Sequence, residues 1–168
     1  MEETEPLTAS FDEYVSNRGR ALWRSAFLLT ADPHRAEDLV QTALSRTYSN
    51  FERIGDVVAF DAYVRKAIHR TFYSWWRRLW NGERPTERLP EDAGGAPDTE
   101  LRVDVLRALR DLPPRQRSVI VLRFLEDRSI PEVAEILGIT EGTVKSASHR
   151  GCAALRASVH LAEEEIAR

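Results

Sequence analysis

The chain is nearly devoid of cysteine. Of 168 residues only Cys152 carries a thiol, which excludes an intramolecular disulfide and permits a reducing compartment. Long apolar runs are missing too: none approaches the roughly 18 residues that a helix needs to cross a bilayer. The N-terminal MEETEPLTAS is acidic and lacks an apolar core, so no secretory signal peptide is expected there. With these absences the protein is expected in the cytoplasm, away from membranes. No phosphate-binding glycine loop occurs. His34, His69, His149, His160 and Cys152 have no mutual spacing that would hold zinc. His149 and Cys152 lie three apart and could mimic a thiol–base pair, but no orienting third group or oxyanion site accompanies them. Cys152 reads as a small buried hydrophobe instead. The chain is therefore expected not to be an enzyme and to need no cofactor or metal. Alternating Val, Ile and Thr are lacking and no internal repeat appears, so strands are not expected.

What is present is helical patterning. Hydrophobic residues make up 42% and charged residues 30%, enough to bury a core beneath an ordinary soluble surface. Ser10 with Glu13 forms a capping-box pattern that opens a helix running to about Thr30. Asp32-Pro33 opens a second, whose Ala36, Leu39, Val40, Ala43, Leu44, Thr47, Tyr48 and Phe51 keep helical spacing. A short loop from Arg53 to Val57, turning at Gly55-Asp56, precedes a third helix over Ala59–Asn81, ended by Gly82. Glu83 to Asp98 holds three prolines, two adjacent glycines and no apolar periodicity, and reads as a flexible linker. Beyond it, Leu101, Val105, Leu106, Leu109 and Leu112 mark another helix, stopped by Pro113-Pro114, and Arg115 to Leu125 the next. The fold class is all-α: two small helical domains, 8–82 and 99–160, joined by a flexible acidic linker over 83–98.

Asp127 to Gly151 carries the sharpest local signal. Ser129 and Glu132 form a second capping box, Pro131 falls in the first turn, and Val133, Ala134 and Leu137 line one face. Gly138 sits where the chain must turn through a left-handed conformation. Thr140 is placed to cap a second helix, whose Val144 and Ala147 point back to the first. Glu141, Thr143, Lys145, Ser146, His149 and Arg150 are left facing outward. Small residues at the crossing, glycine in the turn and outward cations make this a helix-turn-helix suited to a DNA groove.

The net charge of −3 looks wrong for a DNA-binding protein, because phosphate neutralisation supplies much of the affinity. Its distribution resolves the conflict. From Tyr63 to Arg84 there are six Arg or Lys against one acid, whereas from Gly82 to Glu100 there are six acids against two arginines. Glu2, Glu3, Glu5, Glu163, Glu164 and Glu165 add acidic tails. Acids that compete for the basic faces imply weak DNA binding by the isolated chain, relieved by a carrier that separates them.

In one order the chain contains Asp38-Leu39-Val40-Gln41; Tyr63-Val64-Arg65-Lys66 through Ser74-Trp75-Trp76-Arg77-Arg78; Leu112-Pro113-Pro114-Arg115-Gln116-Arg117; and Gly142-Thr143-Val144-Lys145-Ser146. This succession resembles the group IV, extracytoplasmic-function sigma factors of bacterial RNA polymerase, and the Ser-Trp-Trp-Arg-Arg run is similar to their actinobacterial sigma-E-type subgroup. The resemblance covers roughly Phe11 to Arg156. It implies a non-enzymatic subunit that binds core polymerase through the β′ coiled coil and β flap, reads promoter DNA, and is often held by an anti-sigma factor. Asp38, Leu39 and Gln41 would then bind polymerase. Asp38 and Gln41 lie one helical turn apart and can be presented together. Arg53, Ile54, Gly55 and Asp56 would border a pocket for a flipped base of the minus-ten element. Arg65, Lys66, Arg70, Arg77 and Arg78 would hold its backbone, and Tyr73 would offer a stacking face. Stacking is worth about 1–3 kcal/mol per base, comparable to the few kcal/mol of unpairing and unstacking. Trp75 and Trp76 are about 100° apart on a helix, so at least one belongs to the core, with Trp76 the choice. Glu141, Thr143, Lys145, Ser146, His149 and Arg150 would meet the minus-thirty-five element, with Thr143, Lys145 and Arg150 on phosphates and the others on bases.

The chain departs from the family at three places. Arg70 stands where many members carry a base-reading asparagine, which leaves the preferred hexamer open, since an arginine there can hold phosphate or read guanine. Ala147 replaces a common Arg or Gln. Gly151 replaces the usual Ala, at about 1 kcal/mol of helix propensity. The competing reading is a stand-alone operator-binding regulator, against which the single helix-turn-helix, the long polar linker and the acidic excess all argue.

Overall fold

Side-chain caps set where the helices begin. In the computed structural model, which describes residues 10–80 and 103–166, Ser10 Oγ accepts from the Glu13 amide at 3.2 Å and starts α1, Phe11–Thr30. Asp32 Oδ1 accepts from the amides of His34 and Arg35 and starts α2, Pro33–Thr47. A 3₁₀ turn at Tyr48–Asn50 runs into the one-turn α3, Phe51–Ile54, so most of the expected loop is helical. Gly55 closes it at φ 69°, in the left-handed region that glycine enters freely. Asp56 then accepts from Val58 N at 3.1 Å, which brings the start of α4, Val57–Trp80, two residues ahead of the expected one.

The second half follows the same logic. After α5, Val103–Asp111, comes α6, Pro114–Ile120, with proline in its first turn. Ser129 and Glu132 form a complete capping box on α7, Ile130–Leu137. Gly138 turns at φ 66°, and Thr140 Oγ1 caps α8, Glu141–Ile166, through the Thr143 amide at 3.1 Å. Among the described residues all regular structure is helical. The linker expected over 83–98 and the acids at Glu2, Glu3 and Glu5 lie outside the described residues.

The two halves are not wrapped separately. Leu22, Phe27, Leu29, Leu39, Phe60, Val64 and Ile68 form a core between α1, α2 and α4 that continues into Leu106, Leu109, Leu112, Ile120 and Val121. Both Trp75 and Trp76 pack against it, each half-buried, so the 100° between them is shared across one broad face. A smaller core of Val119, Leu122, Val133, Val144 and Ala147 holds the helix-turn-helix together. Ala147 therefore faces inward, and no long DNA-facing side chain is missing there. Gly151 is likewise a packing device and not merely a propensity loss: a Cβ at this buried position would stand 2.9 Å from Cγ1 and 3.0 Å from Cδ1 of Ile120. α8 can cross α6 this closely only without a side chain at 151.

The expected single helix Arg115–Leu125 is interrupted. After Ile120 the hydrogen bonds widen into a π turn over Val121–Leu125, with the Glu126 amide bonding to the Val121 carbonyl at 3.0 Å. Such turns often mark functional positions. Asp127 follows in the left-handed region at φ 51°, a conformation aspartate tolerates better than most residues. This break delivers the Glu126 carboxylate into the first half of the chain. Oε1 pairs with Arg65 Nη1 and accepts from Ser25 Oγ at 3.3 Å, while Oε2 lies 2.8 Å from His69 Nε2. Arg65 Nε also donates to Asp61 Oδ2 at 2.9 Å, and Asp61 Oδ1 accepts from Tyr14 Oη at 3.0 Å. The side chains of Arg65, Glu126 and His69 are 11%, 3% and 0% exposed.

Burial alone would raise the Glu126 pKa, but hydrogen bonds and charge from His69 and Arg65 reverse this and hold it at about 2. Burial likewise works against the Arg65 cation, yet its bonds to Asp61 and Glu126 leave it above its ordinary value. Burial and the adjacent Asp61 push the Tyr14 hydroxyl strongly up.

A second buried cation, Arg117, donates to the carbonyls of Leu29 at 2.6 Å, Arg110 at 2.6 Å and Leu112 at 2.9 Å. It thus serves the C-terminal ends of α1 and α5, where the helix dipole favours a positive charge. Its guanidinium also lies over the rings of Phe72 and Trp76. Burial lowers its pKa to about 10, so it stays charged at neutral pH.

Two outcomes follow from this packing. Gly151→Val should lower stability by about 2 kcal/mol through overpacking, read as a fall in thermal midpoint, with Ile120→Ala in the same chain recovering part of the loss. For Glu126, the folded pKa of about 2 lies below the ordinary 4.5. Its contribution is therefore complete above pH 4.5 and is lost as pH falls toward 2, amounting to about 3 kcal/mol at 1.36 kcal/mol per unit. Denaturant titrations across that window should show Glu126→Gln with a flatter pH profile than the natural chain. Equal slopes would mean the carboxylate gains nothing from its partners.

Candidate nucleic-acid interface

Three surfaces collect the residues singled out by sequence. The first surrounds the α3–α4 turn. Phe51 and Phe60 stack edge-on at 5.0 Å, and Phe11 meets Tyr48 at 4.8 Å. These aromatic contacts anchor the turn to α1 and α4. Arg53 is exposed, Ile54, Gly55 and Asp56 are half-buried, and the Asp56 carboxylate is committed to capping α4. Sequence reasoning missed the neighbours of this turn. Tyr48 is 61% exposed, Val58 70% and Tyr63 38%, and Asn50 Nδ2 donates to Tyr63 Oη at 3.1 Å. The signal available for them was an exposed aromatic beside a glycine turn, but Tyr48 sits in register with the apolar stripe of α2 and was counted there.

Along α4, Lys66 is half-buried, while Arg70, Arg77 and Arg78 are exposed. Each of the α4 residues expected on DNA, up to Tyr73, meets the second half of the chain: Arg65 pairs with Glu126, Lys66 Nζ lies 3.8 Å from Glu135, Arg70 Nε donates to the Ile136 carbonyl at 3.3 Å, and Tyr73 Oη accepts from Arg115 at 3.4 Å. Arg77 lies over the Tyr73 ring.

The second surface is the outward side of α8. Glu141, Lys145, Ser146, His149 and Arg150 are exposed together; Thr143 is half-buried, its hydroxyl 2.8 Å from that of Thr140. Between this surface and α4 lies a cleft of about 530 Å³, walled by Tyr73, Trp76 and Arg77 on one side and Arg115, Thr143 and Arg150 on the other. Among the described residues no acidic side chain lines it.

The third surface is on α2. Asp38 and Gln41 are exposed, whereas Leu39 is fully buried in the main core. Leu39 is therefore corrected from a partner-facing residue to an anchor that orients its neighbours: helical geometry sends it to the opposite side from Asp38 and Gln41. No group of acidic, histidine and cysteine side chains suited to a metal occurs among the described residues, and no described helix is long and apolar enough to cross a membrane.

Comparison with known proteins identifies the two halves of the chain. Residues 15–82 match the family described as Sigma-70 region 2, and residues 102–155 that described as Sigma-70, region 4. The chain is 47% identical over 163 residues to the RNA polymerase sigma-E factor of Streptomyces coelicolor, covering 94% of this chain and 87% of that one. It is 32% identical over 160 residues to the ECF RNA polymerase sigma factor SigL of Mycobacterium tuberculosis, covering 89% and 86%. The fold is shared with the sigma factor RpoE from Bartonella quintana, solved in complex with the anti-sigma factor NepR, at 24% identity and a TM-score of 0.70 over 89% of this chain and 96% of that one. A helix-turn-helix that forms only the second of two matched regions, behind a separate cationic helix, is the organisation of a polymerase subunit and not of a lone regulator. The chain belongs to the extracytoplasmic-function sigma factors, the non-enzymatic subunits with which bacterial RNA polymerase selects promoters and starts transcription.

Proposed function

We propose that this sigma factor divides its work among the three surfaces just described. The observation that carries the assignment is the presence, on separate elements of one chain, of exposed Arg70, Arg77 and Arg78 on α4 beyond an aromatic-rimmed turn and of an exposed polar helix-turn-helix face. Asp38 and Gln41 dock onto the β′ coiled coil of core polymerase, with Leu39 holding them in place from the core. Arg53 and the turn at Ile54, Gly55 and Asp56 border the site for a flipped minus-ten base, with Tyr48 and Tyr63 as nearby rings. Arg65, Lys66, Arg70, Arg77 and Arg78 hold the strand backbone, and Tyr73 supplies a stacking face. Lys145, Thr143 and Arg150 take phosphates at the minus-thirty-five element while Glu141, Ser146 and His149 approach base edges, and the second half meets the β flap. The domains are 8–82 and 99–160, with 83–98 as an acidic tether. The protein works in the cytoplasm, where its substrate DNA and polymerase are, and an anti-sigma factor is its natural antagonist.

Transcription with purified core polymerase on a candidate promoter tests this reading. Initiation should require the chain, and Asp38→Ala should weaken core binding about tenfold, as expected for an interface residue whose truncation costs about 1.4 kcal/mol. Absence of initiation, together with equal DNA binding with and without core enzyme, would overturn it. On DNA, Lys145→Ala should weaken binding to all sequences alike and lower the salt slope by about 1. A loss confined to one sequence would instead make Lys145 a base reader.

A further inference from the structure

The cleft of about 530 Å³ beside α4 and α8 joins three guanidinium groups, those of Arg77, Arg115 and Arg150, to the rings of Tyr73 and Trp76. Both rings are steadied by cations. The Tyr73 hydroxyl accepts from Arg115 at 3.4 Å, and Arg77 lies 5.7 Å from the centroid of its ring. Arg117 lies 5.7 Å from the Trp76 ring centroid. Pro113 and Pro114 give the cleft an apolar side. A second hollow of about 520 Å³ shares Tyr73, Arg77 and Arg115 and adds Arg70. Among the described residues neither hollow is lined by an acidic side chain. Concave sites lined by charge of one sign concentrate ligands of the other.

We propose that this cleft binds a nucleoside polyphosphate, its base against Tyr73 and Trp76 and its phosphates on Arg77, Arg115 and Arg150. The lining excludes simpler ligands. An inorganic anion would leave the rings and prolines in water, and an uncharged aromatic compound would leave three cations without a partner. A nucleotide answers both needs. Guanidinium forks match phosphate oxygens in pairs, and every base has a face on which a ring can stack. The second hollow favours several phosphates over one, because Arg77 and Arg115 border it too and Arg70 stands beyond them. The volume is that of a small-molecule site. The inference goes beyond the promoter roles given above and turns on Arg115, which has none of them. Arg70, Tyr73, Arg77 and Arg150 do have such roles, so a bound nucleotide and promoter DNA compete for the same side chains. Each ligand therefore weakens the other by the same factor.

The test uses the full chain, with GTP as the probe. Equilibrium dialysis near physiological salt should show saturable binding of one GTP per chain, with half-saturation below about 1 mM. Arg115→Ala should weaken it about tenfold, as expected on losing a charge-assisted hydrogen bond. Arg107→Ala, at a position that lines neither hollow, should leave it unchanged. Guanosine alone and inorganic triphosphate alone should each bind about tenfold more weakly than GTP, since each meets only part of the lining. Absence of saturation, equal binding by R115A, or inorganic triphosphate binding as tightly as GTP would overturn the site. So would a thymidine trinucleotide that binds more tightly than GTP with the same dependence on Arg115, because the cleft would then belong to a DNA track. Should R115A lose helix, Arg150→Ala, at an exposed position on α8, takes its place. If GTP binds as expected but the chain starts no transcription with core enzyme, the promoter roles fail while the site stands. Initiation without GTP binding gives the reverse.

Discussion

The conformation depends on one carboxylate that cannot be left alone. Glu126 lies in a site where an uncompensated charge would cost several kcal/mol, so it persists there only because Arg65, His69 and Ser25 satisfy it. Those partners are in turn held by others. Arg65 is oriented by Asp61, which is one helical turn away, and Asp61 by the buried Tyr14 hydroxyl. A line of hydrogen bonds therefore runs from α1 through α4 to the break after the π turn. Replacing such a network with apolar side chains is often neutral or stabilising. Its value here lies in directionality: apolar surfaces would let the halves slide, whereas this chain of donors and acceptors admits one register.

Arg117 performs the complementary task on the other side of the interface. Three carbonyls from α1 and from the end of α5 converge on its guanidinium, and two aromatic rings of α4 lie beside it. A lysine could not serve that arrangement, because it lacks a planar fork. The Leu112–Arg117 run, which marks the family, thus has a structural use in this chain in addition to any contact with polymerase. Arg117 thereby ties the end of α1 and the rings of α4 to the second half.

What was legible in the sequence was local. The caps at Ser10, Asp32, Ser129 and Thr140 and the left-handed glycines at 55 and 138 involve neighbours within a few residues, and patterns of that range are visible by inspection. The family order of motifs located the three surfaces for the same reason. Glu126 was not legible, because its partners are 57, 61 and 101 residues away and it falls in a helical break where no periodicity marks it. His69 was weighed only for metal spacing and proved to be a buried hydrogen-bonding partner. Gly151 and Ala147 looked like deficiencies of a recognition helix until packing showed that one admits Ile120 and the other fills the helix-turn-helix core. Leu39 was grouped with Asp38 and Gln41 by motif, although a helix must turn it the other way.

The net negative charge now has a physical place. The sequence pointed to the linker and tails as the acids that would compete with DNA for the basic faces. Within the described residues Asp61 and Glu126 hold Arg65 and Glu135 lies near Lys66, so the competing acids meet the α4 face itself. A stand-alone regulator so built would be poorly suited to its task, since its own acids take up two of its cations, Arg65 and Lys66. For a polymerase subunit the same feature is useful. Non-specific binding is mostly electrostatic and independent of sequence, so a sigma factor with open cations would be retained along the chromosome before it met core enzyme. Pairing Arg65 and Lys66 with carboxylates of the same chain lessens that pull.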